Sequence, residues 1–224
     1  MRLSELECGS LLSYSPRGDS AELRYSRSVM TAIKRDLFVK ATDPDSPIPM
    51  SQWMAETIRQ HRATLPFASF FQPNTILIPT PKSSLMQPGT LWVPERIARA
   101  LVRMGIGKEV VSCLIRTKPV RKAASSAPEE RPISAEHYES MEVQGLLSEP
   151  DEIVLIDDIV TRGATLLGAA NRLADAFPKA HIYAFAAMRT ISNPDQFEKW
   201  YDPLVETIRL RPLGDTLQRF PSNT

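Results

Sequence analysis

Cysteine is almost missing from this chain: Cys8 and Cys113 are the only two in 224 residues, too few for a four-ligand zinc site or a disulfide framework. Histidine is scarce as well. His61, His137 and His181 are scattered with no partner at catalytic or metal-ligand spacing, and each reads as structural. Net charge is nearly absent, with 27 Lys and Arg against 26 Asp and Glu giving +1. That removes any bulk attraction to nucleic acid or anionic membrane, so an anion site has to be local. No apolar stretch approaches the ~20 residues of a membrane span, and the opening MRLSELECGS has no basic stretch followed by an apolar run. No internal repeat is visible. The expectation is a soluble, reduced, cytoplasmic protein whose 42% hydrophobic content supplies a sizeable core.

The apolar residues present are patterned. Val29, Ile33 and Leu37 recur at helical spacing in SVMTAIKRDLF, which predicts an amphipathic helix with Lys34 and Arg35 turned to water. A second helix is predicted from Ser51, with Ser51 as N-cap and Met54 and Ile58 on one face. Residues 1–70 thus read as helices and loops, a flanking layer, lid or hood. From Thr75 the pattern changes to TILI, then a helix carrying Val93, Ile97, Leu101 and Met104, then the β-branched run VVSCLI at Val110 to Ile115. After a long segment, residues 116–150, with no sustained apolar period, IVLI at Ile153 to Ile156 leads to a helix bearing Leu166, Ala170, Leu173 and Phe177, ended by Pro178, and then to HIYAFAAM. VETIRL is a possible last strand. Continuous apolar strands alternating with helices predict an α/β fold with a mostly parallel sheet covered on both faces.

The chemistry concentrates in IVLIDDIVTRGAT, Ile153 to Thr165. A buried strand emerges at Asp157 and Asp158, where ligands of parallel sheets bind. Thr161 and Thr165 add hydroxyls, Gly163 permits a backbone most residues resist, and the following helix N-terminus offers unpaired N–H groups to an anion. A phosphate beside vicinal hydroxyls, as in a ribose 5-phosphate, satisfies both halves. An acidic pair at a strand end also suits a magnesium ion in a phospho-acceptor domain.

This stretch resembles the 5-phosphoribosyl 1-pyrophosphate (PRPP) motif of the type I phosphoribosyltransferases, in which four apolar residues precede two acidic ones and a Thr- and Gly-rich turn. The resemblance implies that Asp157 and Asp158 hold the ribose hydroxyls, and that Thr161, Arg162, Gly163, Ala164 and Thr165 wrap the 5-phosphate. Magnesium is the implied cofactor, met by Asp157 and Asp158 only indirectly, through substrate or water. Two departures stand out: Arg162 replaces a small residue, and Thr161 stands where some purine-salvage members carry a base-activating carboxylate. Thr80, Lys82, Ser83 and Ser84 follow TILI where the family binds pyrophosphate. Arg116, Lys118, Arg121 and Lys122, in RTKPVRK, open the long segment where the family has its flexible catalytic loop. A lysine in a proline-bounded turn and a solvated basic run remain the bland readings of these two features.

Within the family, SVMTAIKRD and LIRTKPVRKAASSAPEERP look most like the ComF-like proteins linked to bacterial DNA uptake and repair, without the zinc ribbon with which those commonly begin. The implied architecture is a type I phosphoribosyltransferase-like fold with a hood or helical segment at 1–70, a PRPP-binding core at 71–190 and an extension at 191–224 that is hood or final strand. The implied activity is transfer of a phosphoribosyl group from PRPP to a nitrogen acceptor, a nucleobase or related amine, with release of pyrophosphate. The alternative is a non-catalytic PRPP- or nucleotide-binding regulator or DNA-processing accessory. A homodimer is also implied; a nucleic-acid partner is not favoured by the balanced charge. Trp53, Trp92 and Trp200 read as core or lid packing.

Overall fold

A computed structural model describes residues 2–40, 46–121, 132–145, 149–210 and, for the backbone alone, 217–221. Its central sheet has seven strands in the order β11-β10-β1-β9-β8-β4-β5. The strands are β1 (Glu5–Tyr14), β4 (Ile76–Pro79), β5 (Glu109–Val110), β8 (Glu152–Val160), β9 (His181–Thr190), β10 (Tyr201–Leu210) and β11 (Leu217–Pro221). From β1 to β5 every pairing is parallel, while β10 and β11 add antiparallel to the β1 edge. Helices α1 (Ala21–Arg35), α2 (Met50–His61) and α3 (Val93–Arg103) form a core layer with Leu77, Val154, Ile156 and Phe185. On the other face α5 (Ala164–Ala176) packs on Ile78, Ile153, Leu155, Ala184 and Ala186. Ile153 to Ile156 are wholly buried because β8 is covered on both faces. The expected α/β architecture with a mostly parallel central sheet and flanking helices is present.

Five local expectations are corrected. The first 70 residues are not only helices and loops: β1 lies between β9 and β10 in the sheet. Its Glu, Gly and Ser content hid it. Gly9 is there for contact, since a Cβ would meet Phe67 Cβ at 2.6 Å. The run VVSCLI divides, β5 pairing with β4 while β6 (Leu114–Arg116) leaves the sheet to pair with β7 (Met141–Val143). Residues 116–150 therefore contain structure, including α4 (Ser134–Glu139). Leu37 lies beyond α1 and is exposed, because Asp36 ends the helix in the left-handed conformation, φ 46°.

Ser51 does not cap α2 with its side chain; the distant Asp36 Oδ1 accepts from the Ser51 amide at 2.8 Å. The same buried carboxylate meets Arg96 of α3 at 3.1 Å, so one residue ties the ends of three helices and fixes where α1 presents Lys34. Next to it β2 (Phe38–Val39) pairs antiparallel with β3 (Ile48–Pro49), Phe38 opposite Pro49 and Val39 opposite Ile48, a short ribbon. Asp36→Ala loses the cap and places alanine at positive φ, and is expected to lower stability by about 2 kcal/mol in urea unfolding. Asp36→Asn, which tolerates that backbone and keeps an acceptor, should retain most of it.

Candidate functional site

The carboxyl end of β8 opens into a cavity of about 310 Å³ bordered by Asp157, the 159–166 turn, His137, Tyr14, Arg17 and Thr190. Gly163 is the hinge of that turn. Its φ is +84°, no side chain caps α5, and a Cβ at this position would lie 2.6 Å from Ile208 Cδ1. The first N–H groups of α5, from Ala164 and Thr165 onward, have no carbonyl one turn earlier to receive them and border the cavity. They give this end of the helix its partial positive charge. Thr161, Arg162, Gly163, Ala164 and Thr165 thus all line one pocket with Asp157. The Thr161 hydroxyl lies 3.0 Å from that of Thr190, so the first position of the turn is occupied by a neutral hydroxyl pair.

The two aspartates part company. Successive residues of a strand face opposite sides of a sheet. Asp157 borders the cavity, and the Asp158 amide donates to its Oδ1 at 2.9 Å. Asp158 is turned toward α1, with Oδ2 3.4 Å from Nζ of the exposed Lys34. Burial, and then the neighbouring Asp158 charge, push the Asp157 carboxyl up to about 7.

The loop after β4 stands beside this strand end. The Thr80 amide donates to Ile156 O at 2.9 Å, and Trp92 Nε1 donates to Thr80 O at 2.8 Å. Arg116, expected on a mobile loop, is instead buried. Its Nε donates to Lys82 O at 2.8 Å and its Nη1 to Ser140 Oγ at 2.5 Å. Burial lowers the Arg116 guanidinium to about 10, against the charge of Asp157, which raises it. Just beyond, the Val120 amide donates to Ser83 O at 2.9 Å. The backbone between Arg116 and Arg121 is thereby fastened to the Lys82–Ser83 loop, with Lys118 and Arg121 exposed. Ser84 is exposed too, and Lys122 lies outside the described residues.

The spacing of His137 marks it as structural, and the structure also places it at the border of the cavity. It is buried on α4, with Nε2 3.4 Å from Thr165 Oγ1 and Nδ1 3.5 Å from Arg116 Nη2. Burial, and then the charges of Arg116 and Arg162, drive its pKa down to about 3, so the ring is neutral. No signal in the sequence singles it out; its partners lie 21 and 28 residues away. Among the described residues no group of three His, Cys, Asp or Glu is arranged to hold a metal ion. No helix among them is long and apolar enough to cross a membrane.

No family model and no curated protein matches the chain. Among solved structures, it is similar to a hypoxanthine phosphoribosyltransferase from Staphylococcus aureus at 12% identity, covering 67% of this chain and 70% of that one with a TM-score of 0.32. It is similar to an adenine phosphoribosyltransferase from Leishmania donovani at 12% identity, covering 77% and 87% with a TM-score of 0.32. Likeness of this size carries no argument about substrate.

Two outcomes are expected. Gly163→Ala strains the turn and drives a methyl into Ile208, costing about 1–3 kcal/mol in thermal or chemical unfolding. For Asp157, the protonated carboxyl is the form the fold favours. Its contribution is full below the ordinary carboxylate pKa of about 3.9 and is lost as pH rises to about 7. Asp157→Asn removes that loss, so urea melts at pH 4.5 and 7.5 should differ less for the variant than for the native chain. An equal difference in both proteins would rule out a raised Asp157.

Proposed function

We propose that the chain binds PRPP with magnesium at the carboxyl end of β8 and transfers the phosphoribosyl group to a nitrogen acceptor, releasing pyrophosphate. The observation that carries this reading is the junction of Asp157 with an uncapped α5 N-terminus around one cavity, a carboxylate acceptor beside an anion cradle. Type I phosphoribosyltransferases share this arrangement in the motif that Ile153 to Thr165 resemble.

In this reading the 5-phosphate accepts from the amides of the 163–165 turn, from Thr165 and from Arg162, where charge-assisted hydrogen bonds add strength. Asp157 accepts from a ribose hydroxyl. The neighbouring Asp158, 3.4 Å from Lys34, opposes ionisation of Asp157, and a donating ribose hydroxyl offsets that effect. The pyrophosphate faces Lys82, Ser83 and the segment bearing Lys118 and Arg121, with buried Arg116 holding the Lys82 backbone in place. With Asp157 as the one carboxylate bordering the cavity among the described residues, the donor set fits a hard ion that keeps water and substrate oxygens for most of its shell. Bound that way, magnesium supplies charge neutralisation to the departing pyrophosphate. The chain's part is to orient the anomeric carbon toward its acceptor and to stabilise the leaving charge, with no covalent attachment of a side chain.

One observation favours a second reading, a PRPP- or nucleotide-binding regulator without turnover: Thr161 is paired with Thr190, and no acidic group stands at that position to activate a base. Calorimetry with PRPP and magnesium, followed by pyrophosphate release across a panel of nucleobases and amines, separates the two. Binding with turnover on one acceptor is the expected result; binding with none would select the regulator. Because ribose hydroxyls favour the ionised Asp157, binding near pH 7 should release protons, seen as a buffer-dependent enthalpy. Asp157→Asn should weaken PRPP about tenfold or more. Unchanged affinity in Asp157→Asn together with Asp158→Asn would defeat the site.

A further inference from the structure

The candidate site leaves one group unexplained: a buried, uncharged imidazole between the two anion loops. α4 is pinned for this purpose. Arg172 of α5 donates twice to Tyr138 O, at 2.8 and 3.1 Å, and lies 4.0 Å above the Tyr138 ring. Tyr138 Oη donates to Asp175 Oδ2 at 2.6 Å. Gly168 lets α4 approach, since a Cβ there would meet His137 Cβ and Ser134 O at 2.7 Å. The ring is therefore held in one place, and its hydrogen-bond roles can be worked out from its neighbours.

A guanidinium only donates. Arg116 Nη2 at 3.5 Å therefore requires His137 Nδ1 to accept, which leaves that nitrogen without hydrogen. A neutral ring then carries its hydrogen on Nε2, 3.4 Å from Thr165 Oγ1, and the threonine oxygen receives it. Both contacts are at the long end of hydrogen bonding, a looseness common in sites before ligand binds. With one lone pair engaged by His137, the Thr165 hydroxyl keeps its own hydrogen for an acceptor in the cavity. The same Arg116 holds Lys82 O, so one chain of donors runs from the loop after β4 to the turn before α5.

We propose that His137 is a positioning residue that relays a donor from Arg116 to Thr165 and so aims the Thr165 hydroxyl at a bound phosphate. This rests on the reading of the 161–165 turn as the phosphate cradle. The charged groups around the ring are Arg116 from β6 and Arg162 from the turn, with Asp157 of β8 acting on Arg116. Both cations disfavour an imidazolium, and the relay works only without one.

The test needs no ligand for its first part. A long-range ¹⁵N correlation spectrum of the full chain is expected to show His137 bare at Nδ1, protonated at Nε2 and unchanged from pH 8 to about 5. A hydrogen on Nδ1, or titration near the ordinary histidine value of about 6.5, would overturn the proposal. In the second part, ribose 5-phosphate binding is measured by calorimetry. His137→Gln places an amide donor near the Nε2 position and should stay within about threefold of the native affinity, whereas His137→Asn and His137→Phe should lose about tenfold. Gln binding as weakly as Phe would refute the relay and leave a packing role. Failure of the native chain to bind ribose 5-phosphate would bring down the proposed function instead, and the spectrum would still decide whether the relay exists.

Discussion

A strand buried on both faces has to surface somewhere, and β8 surfaces at its carboxyl end. Ile153 to Ile156 are fully excluded from water, so the chain leaves the core at Asp157 with no choice of register. A one-residue slip would carry apolar side chains into the cavity and the carboxylate into the core. Everything at the site follows from that exit point. Asp157 and Asp158 are divided between the two faces of the sheet, the turn bends at Gly163, and α5 starts at the edge of the cavity with no side chain capping it. The packing of Ile208 against Gly163 then holds the turn from below, so β10, distant in sequence, helps set its shape.

The electrostatics of the cavity are uneven. Burial, and then cationic Arg116 and Arg162, suppress protonation of His137, while burial, and then Asp158, suppress ionisation of Asp157. His137 and Asp157 are thus both held toward neutrality, by burial first and then by positive neighbours for one and a negative neighbour for the other. The positive end of α5 and Arg162 remain as the attraction for an anion. Arg162 and the positive end of α5 thus meet at one cavity in a chain whose overall charge is only +1.

Legibility followed sequence distance. The segment from Ile153 to Thr165 could be read because strand, carboxylates, turn and helix start are consecutive, and each local preference agrees with the others. α3 and α5 were legible for the same reason: Ile97, Leu101, Ala170 and Leu173 repeat at the helical period and are buried. β1 was not, because Gly9 and its serines have no strand signature until Phe67 and two neighbouring strands supply their surroundings. VVSCLI looked like one strand because apolar β-branched residues report burial and not the partner. β5 pairs with β4 and β6 with β7, and that choice is made by chain geometry.

By itself the sequence determined the layered α/β plan, the strand that carries Asp157, and the glycine turn with its helix start, all properties of contiguous residues. Only the tertiary structure decided that Arg116 is buried against Lys82, that Lys34 answers Asp158, and that His137 stands between Arg116 and Thr165. Those pairings join residues 21 to 124 positions apart. Which charge meets which across such separations depends on how the layers close over the sheet, and no local propensity records it.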